Sequence, residues 1–563
     1  MRGKPLSTRI AIFSALLVLH SLAATRFWGE LRQLFDGRSF AQRLTDDAFH
    51  GLPISEAALS LDAAMPADRP VRLSPELAQD DFALQRITEA LYPRPIDPAA
   101  IDVVGFTPAH RVVLDSVVLP RLTAAQLADG DSRVALHPVQ MLLSFLGALG
   151  LGLSLLLAAS RLLPSLRSSS PGMIAALSTI LGATVVGAAG MLASWLQLPL
   201  LAWPLRAVGV ALLPFSLAAC VATRLIRRPT RAPTPESLGL ALLLAAMLVR
   251  TLALPISLWD GRSIWLLHAH QLFAHGMMPL GELTRAPLVW SHPDYPLLDS
   301  SWLAFFSLGS GLFNERMAAV GIVALWSALL ALVWKLSRAR LGRWPGAALT
   351  FAIFLQLEWC TAGAYVDGLL ATSLTIMLLA LANDESAPIG WLAALLASNL
   401  KAEGLLLALL VAGASALVRR PRRFAGFAVF LPALIHTAWV HASGVDSIRE
   451  HGTVALGELP ARFNAIFAAL PVLIEPGYVG VRGLLWDGIA ASMLIVAAAA
   501  RRKLIPGIGT YSAAALLAVC FAFGSIAMLP RDPTWFVNVT LDRLLIHPAL
   551  LLLLLGLGAE EAS

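Results

Sequence analysis

The sequence contains few charged residues for its length. Asp, Glu, Lys and Arg make up 14% of its 563 residues, whereas hydrophobic residues make up 57%. Soluble globular domains carry roughly 25% charged residues. Apolar runs of about 18–25 residues recur along the chain and are continuous rather than alternating. Because only helices and closed barrels satisfy every backbone polar group in lipid, these runs predict a helical membrane protein.

Cysteine is also scarce. Cys220, Cys360 and Cys520 lie within or at the ends of apolar runs, so no disulfide framework or metal-binding spacing is visible. The chain has no nucleotide-binding loop. Its net charge of +6 comes mostly from short Lys and Arg clusters between apolar runs, as the positive-inside rule expects. The charge therefore predicts contact with membrane lipids and no nucleic-acid partner.

The basic clusters also orient the apolar runs. Arg161–Arg167, Arg224–Arg231, Lys335–Arg343, Arg419–Arg423 and Arg501–Lys503 all fall on one side if the runs cross the membrane in turn. We therefore predict about fourteen spans with both ends in the cytoplasm. The predicted spans are 10–24, 138–160, 172–195, 199–224, 235–257, 317–334, 346–362, 368–382, 388–400, 405–418, 424–440, 485–500, 508–529 and 543–558. Residues 300–313 are apolar but short, and predict an interfacial or re-entrant helix.

These features divide the chain into four parts. Residues 1–25 form either an uncleaved anchor or a signal peptide, because the apolar run is short and ends in small residues. Residues 26–136 are an exported region, either a small domain or a cap on the membrane part, 137–233 are accessory transmembrane helices, and 234–563 are the transmembrane core. The expected fold is an all-α polytopic protein of the cytoplasmic (inner) membrane, with helices lying on its outer face. A functional site would face the periplasm or exterior.

The polar groups of interest begin with Trp259 and Asp260, at the predicted outer end of a span. Residues 263–275 carry apolar and polar side chains on separate stripes, which predicts a helix lying flat on the membrane with a polar upper face. Asp260 stands at its start. The carboxylate is either an N-cap for this helix or a general base, and the two roles are compatible.

Further polar groups follow from other predicted outer loops, and each has an ordinary structural interpretation. The prolines make His292-Pro-Asp294-Tyr295-Pro296 a rigid turn or a second acidic element. Asp367 is a loop carboxylate or a site residue. Lys401 and Glu403 are a surface pair or part of the site.

Two arginines add to these groups. Arg543 is an interfacial anchor or a ligand for a lipid phosphate. Arg250, inside a span, either snorkels to the interface or is functional.

Together these motifs resemble the membrane-embedded glycosyltransferases of the GT-C superfamily, in particular bacterial relatives of protein O-mannosyltransferases and lipid A aminoarabinose transferases. The resemblance covers about residues 235–560. One departure is His270, which stands where many bacterial relatives carry lysine. The matching pieces are Trp259-Asp260 with Trp265 and Ala269, His292-Pro-Asp-Tyr-Pro-Leu297, Gly311, Arg316, Asp367 and Lys401-Ala-Glu403-Gly404.

The resemblance implies a reaction and a set of roles. The donor would be a sugar on a polyprenyl phosphate, and the acceptor a hydroxyl on a glycan, a lipid or a protein. Asp260 would deprotonate the acceptor, with inversion at the anomeric carbon, and Asp367 would be the supporting acid. The candidate substrate-binding residues are Trp259, Arg262, Trp265, His292, Asp294, Tyr295, Lys401, Glu403 and Arg543. A divalent metal held by Asp260, Asp294 or Asp367 is left open.

Two other functions remain open. A lipid or solute transporter would place charged groups near the bilayer midplane and broken helices in paired positions. An O-antigen ligase or polymerase would place its key residues in a later loop. The loop 441–483, which contains Asp446, Arg449, Glu450 and His451, suits that second alternative.

Overall fold

The computed structural model describes residues 25–46, 51–162, 170–199, 202–223, 225, 234–283, 291–381, 385–419, 421–445, 454–470, 508–528, 532–537 and 544. Within these residues the chain is mostly helical, as the apolar runs predicted. One small sheet, in the N-terminal region, accompanies the helices.

The N-terminal region (residues 26–136) folds as a small unit of helices and short strands. Its four-stranded sheet has the order β1-β2-β3-β4, with the first pair parallel and the others antiparallel. Such short strands leave no periodicity for a sequence to show. The elements are α1 (Thr25–Gln33), α2 (Phe40–Thr45), α3 (Ile54–Ala64), β1 (Arg72–Leu73), α4 (Pro75–Gln79), α5 (Asp81–Leu91), β2 (Val103–Phe106), β3 (Val112–Leu114), β4 (Val117–Val118) and α6 (Ala124–Arg133).

Helices occupy the predicted spans between 138 and 440, and the one at 508–529. The first are α7 (Pro138–Leu162), α8 (Pro171–Leu196), α9 (Ala202–Ala222) and α10 (Pro235–Ala253). The later ones are α14 (Glu315–Leu341), α15 (Arg343–Ala362), α16 (Asp367–Leu381), α17 (Ala387–Ser398), α18 (Ala402–Arg419), α19 (Leu431–Ala442) after a 3-10 helix (Pro421–Phe430), and α21 (Ile508–Met528). Two further helices, α20 (Leu459–Ala469) and α22 (Pro533–Phe536), lie in predicted outer loops. The predicted spans 10–24 and 485–500 lie outside the described residues, as does 543–558 apart from Leu544.

Among the described residues, five helices are long and apolar enough to cross a membrane by length and composition. They lie within 124–160, 171–196, 204–222, 235–253 and 315–340. Shorter apolar helices include 367–381, 387–398, 402–417, 426–442 and 516–528. The chain is therefore a membrane-embedded helical protein.

Local sequence explains where several helices begin. Ser170 and Thr234 accept hydrogen bonds from backbone N–H groups at the starts of α8 and α10, and a proline follows each cap. Asn314 caps α14 in the same way. Within the bundle, a Cβ at Gly150 would overlap the carbonyl oxygen of Gly209. Small residues therefore let α7 and α9 approach along their backbones.

The short helix α13 (Leu298–Phe306) is buried along its whole length. It packs against α8 and α14, and Trp302 donates a hydrogen bond from Nε1 to the carbonyl of Gly321 at 2.7 Å. Residues 298–306 are therefore a buried helix, and its interfacial or re-entrant position stays a prediction. Between α10 and α13 lie a π-helix (Gly261–Leu266), α11 (Leu267–His275) and α12 (Leu280–Leu283).

Candidate functional site

Asp260 immediately precedes the π-helix. Its backbone is helical, with φ −59° and ψ −39°, and its side chain makes no capping hydrogen bond to that helix. A residue that caps a helix usually has extended backbone and accepts from an N–H of the first turn. The capping interpretation of Asp260 is therefore not supported. A π-helix is rare and occurs most often as a single turn at functional sites.

Gly261 brings the Asp260 segment (residues 259–275) against the turn before Asp367. A Cβ at position 261 would overlap the carbonyl oxygen of Gly363, so only glycine permits this contact. The next residue of that turn, Ala364, has φ 59°, a conformation that non-glycine residues seldom adopt. The two aspartates that the resemblance singles out thus lie on backbone segments in direct contact.

Asp367 begins α16 and is 1% exposed. Its Oδ1 lies 3.3 Å from Lys401 Nζ, and Lys401 is also buried. The same ammonium lies 5.8 Å from the centre of the Tyr295 ring. Tyr295 in turn donates its hydroxyl proton to Glu403 Oε1 at 3.4 Å. Four predicted site residues from three separate loops therefore form one buried set.

His292 and Asp294 extend this set. His292 has φ 52° and stacks on Tyr295, with 4.3 Å between ring centres. Its Nδ1 is 3.8 Å from Asp294 Oδ1. On another side of Tyr295, Trp265 of the π-helix stacks at 5.5 Å. We call these residues the Tyr295 cluster: Trp265, His292, Asp294, Tyr295, Asp367, Lys401 and Glu403.

The sequence alone did not indicate His436 and Trp195, which support the Tyr295 cluster. Trp195 donates to His436 Nδ1 at 3.2 Å, so the other ring nitrogen carries the proton and donates to the Tyr295 carbonyl at 3.1 Å. His436 is 1% exposed within α19. The sequence feature that could have pointed to His436 is the presence of a histidine inside an apolar helix.

Arg262 lies in a second buried network, beside the first. Its guanidinium contacts Glu315 Oε2 at 2.9 Å and Glu89 Oε1 at 3.2 Å. Arg86 pairs with Glu89 in turn. We call Arg86, Glu89, Arg262 and Glu315 the Arg262 network. Its two arginines and two carboxyl groups join α5, the π-helix and the start of α14.

Helix α5 and the following Tyr92 contact the Asp260 segment, in which residues 263–275 were predicted to form a flat helix with a polar upper face. Gln85 donates to the Ser263 carbonyl at 2.7 Å. Phe82 packs edge-on against Trp259 at 5.2 Å, and the Tyr92 hydroxyl lies 2.7 Å from His275 Nε2. The N-terminal region therefore sits directly on the segment that carries Asp260.

Burial changes the acid–base behaviour of two histidines in this segment. It lowers the pKa of His268 to about 3, and the neighbouring His292 adds to the effect. It also lowers the pKa of His270 to about 3, with a smaller contribution from His275. Both imidazoles are therefore neutral near pH 7 and supply no positive charge to a phosphate.

Arg250 has partners that the sequence did not reveal. It forms an ion pair with Glu30 of α1 and lies 3.6 Å from Glu358 of α15. Arg250 therefore does more than extend its guanidinium to the membrane interface, because two carboxylates lie beside it. A small cavity beside this group is also lined by Thr251, Ser257 and Gly363, which connects it to the turn before Asp367.

The described residues contain no group of three or more His, Cys, Asp or Glu side chains arranged to hold a metal ion. Arg543, the predicted phosphate ligand, lies outside the described residues, as do Asp446, Arg449, Glu450 and His451 of the loop 441–483. Comparison with protein-family models, curated proteins and solved structures finds no match to the chain.

Proposed function

We propose that this protein is a membrane glycosyltransferase that transfers a sugar from a polyprenyl-phosphate donor to an acceptor hydroxyl. The observation that supports this best is the contact between the Asp260 segment and the turn before Asp367, beside the buried Tyr295 cluster. Polar groups from four separate segments converge at one end of an apolar bundle. Ionisable groups collected in this way in a membrane protein are usually functional.

In this proposal Asp260 takes the proton from the acceptor hydroxyl. The acceptor oxygen forms a bond to the anomeric carbon, the bond from that carbon to the phosphate oxygen breaks, and polyprenyl phosphate leaves. Direct attack inverts the anomeric carbon. Because a sugar phosphodiester is already activated, the enzyme's work is to position it and to stabilise the leaving charge.

The other groups take supporting roles. Asp367 fixes Lys401, and that ammonium is the described cation nearest the aromatic face of Tyr295. Lys401 therefore serves the donor phosphate, together with Arg543. Trp259, Tyr295 and Trp265 offer flat apolar surfaces for sugar or lipid. His292 and Asp294 orient the Tyr295 ring and contribute hydrogen bonds to the substrate. Arg262 is assigned to structure.

The experiment is a transfer assay with the protein reconstituted in lipid and supplied with polyprenyl-phosphate sugars. Asp260→Asn should lower the rate by about 10²–10⁴-fold, because a positioned general base contributes that much. Its thermal unfolding midpoint in detergent should stay unchanged. Asp68→Asn, at an exposed position of the N-terminal region, is the matched control and should transfer at the normal rate. Full activity of Asp260→Asn would refute the assignment.

A further inference from the structure

Helix α5 is buried on two faces that serve different partners. Ala83, Ile87 and Leu91 are fully or nearly buried and belong to the core of the N-terminal region. Phe82, Gln85 and Glu89 share a second stripe, because residues three or four apart lie on the same side of a helix. Tyr92, directly after the helix, continues that stripe. The first face packs into the core of the N-terminal region, and the second contacts another part of the chain.

The second stripe follows the Asp260 segment from start to end. Phe82 meets Trp259, Gln85 and Glu89 meet the π-helix, and Tyr92 meets α11. The Tyr92 ring also packs edge-on against His270 at 4.7 Å. Successive residues of α5 thus contact successive parts of the segment, so the helix fixes the segment's position along its length.

The contacts to the π-helix are polar and buried. Gln85 is 0% exposed, and its amide donates to a backbone carbonyl inside the π-helix. Glu89 is also buried and joins α5 to Arg262, which continues to Glu315 at the start of α14. Buried hydrogen bonds of this kind hold a single geometry, because leaving any member without its partner is costly.

We propose that Gln85 and Glu89 are positioning residues for catalysis, through which the N-terminal region holds the Asp260 segment in its reactive geometry. This inference rests on the proposed function, since it takes Asp260 to be the base. Gln85 acts on the backbone three residues after Asp260. Glu89 acts on the side chain two residues after it. The contacts of Gln85 and Glu89 with the Asp260 segment do not serve the core of the N-terminal region, because that core uses the opposite face of α5.

Two variants remove these contacts without leaving a charge unbalanced. Gln85→Met removes the hydrogen-bond donor and keeps the side-chain length. Arg86→Gln with Glu89→Gln removes one charge of each sign and leaves Arg262 paired with Glu315. Asp102→Asn is the matched control, because Asp102 pairs with Arg69 inside the same region and does not reach the segment.

Each variant is examined in two ways as the full-length protein in detergent or lipid. Backbone amide exchange in residues 259–275 should become faster in both test variants and stay as in the original protein in Asp102→Asn. In the transfer assay, kcat should fall by up to about 10²-fold, the scale expected for a small misplacement of a reacting group, while KM for the lipid-linked donor stays unchanged.

The outcomes separate this inference from the proposed function. Unchanged amide exchange in both test variants would overturn the positioning role, as would an equal increase in Asp102→Asn. A fall in kcat/KM that comes wholly from KM would also overturn it. If the original protein transfers no sugar, the proposed function fails, whereas the exchange data still decide whether α5 holds the segment.

Discussion

Two buried ionic clusters flank the Asp260 segment, and they differ in charge. The Arg262 network has two arginines and two carboxyl groups, and each charge has an opposite partner. The Tyr295 cluster has three carboxyl groups, of Asp294, Asp367 and Glu403, with a single lysine and a histidine. A balanced buried network suits a fixed structural role. Because burying charge is costly, ionisable groups gathered at one place in a membrane protein are candidates for function, and the function proposed above is placed on the Tyr295 cluster.

Both clusters also contain a residue of the same π-helix. Arg262 enters one, and Trp265 stacks on Tyr295 in the other. The π-helix thus joins the structural network to the cluster proposed for catalysis. Changes in the Tyr295 cluster should therefore alter transfer directly, whereas changes in the Arg262 network should alter it through the position of the Asp260 segment.

The largest effect is expected at Lys401. Lys401→Met leaves the Asp367 carboxylate buried without its cation, which costs about 3–5 kcal/mol of the free energy of unfolding. Adding Asp367→Asn should recover most of that stability, because the carboxylate that Lys401 neutralises is then absent. Thermal unfolding in detergent and the transfer assay are measured together. Recovery of transfer in the double variant would show that this pair is structural, like the Arg262 network.

A smaller effect is expected at Gly261, where the two sides of the site meet. Gly261→Ala places a methyl group against the Gly363 carbonyl and should cost about 1–3 kcal/mol, with a loss of transfer as the Asp260 segment shifts. Gly281→Ala is the control, because a Cβ there meets nothing within 4 Å. Normal transfer by Gly261→Ala would show that the reaction does not depend on the contact between the Asp260 segment and the turn before Asp367.

Acid should lower the free energy of unfolding through His270, which packs against Tyr92 at the end of α5. The pKa of His270 falls from 6.5 to about 3 on folding, so between these values the unfolded chain binds a proton that the folded chain does not. The free energy of unfolding then decreases as pH falls below 6.5, by up to about 1.4 kcal/mol per pH unit from this group. Thermal unfolding followed from neutral to acid pH measures it.

His270→Phe removes this titration and keeps an aromatic ring beside Phe313, on which His270 stacks at 4.7 Å. The variant should therefore lose less stability in acid than the original protein does. An identical acid dependence in the two proteins would contradict the assignment to His270.

The smallest effect is expected at Tyr295. Tyr295→Phe keeps the rings stacked on Trp265 and His292 and removes only the hydrogen bond to Glu403, worth about 1 kcal/mol. Ser154→Ala, which breaks the bond to Ser216 within the accessory helices, is the matched control. If the Tyr295 cluster binds substrate, only Tyr295→Phe should raise KM. Equal KM values would argue against a role of the hydroxyl in binding.

Much of the helical architecture was predictable, because it depends on local composition. Apolar runs bounded by Ser170, Thr234 and Asn314 gave helix positions that the structure reproduces within a few residues. The four short strands of the N-terminal region were not predicted, since two to four residues carry no periodic signal. The two interpretations of the N-terminal region included a cap on the membrane part, but the contact of α5 with the Asp260 segment was not predicted.

The candidate site was predictable as a set of residues but not as an arrangement. Asp367, Lys401 and Glu403 were selected because they are charged groups at helix ends or between spans, and Tyr295 because it belongs to the rigid polar motif 292–296. Their pairing depends on how α16, α18 and the loop before α13 pack. The partners of individual charges were the least predictable part. Arg262 was predicted to bind substrate, and the sequence did not indicate its contact with Glu89, which lies 173 positions away.

The sequence by itself therefore determined that this is a helical membrane protein, where most of its long apolar helices lie, and which polar residues stand between them. These are local properties, set by the transfer of short segments into an apolar environment. Only the tertiary structure decided which charges are balanced and which polar groups share a cluster. That choice depends on contacts between segments far apart in the chain, which hydropathy and spacing do not encode.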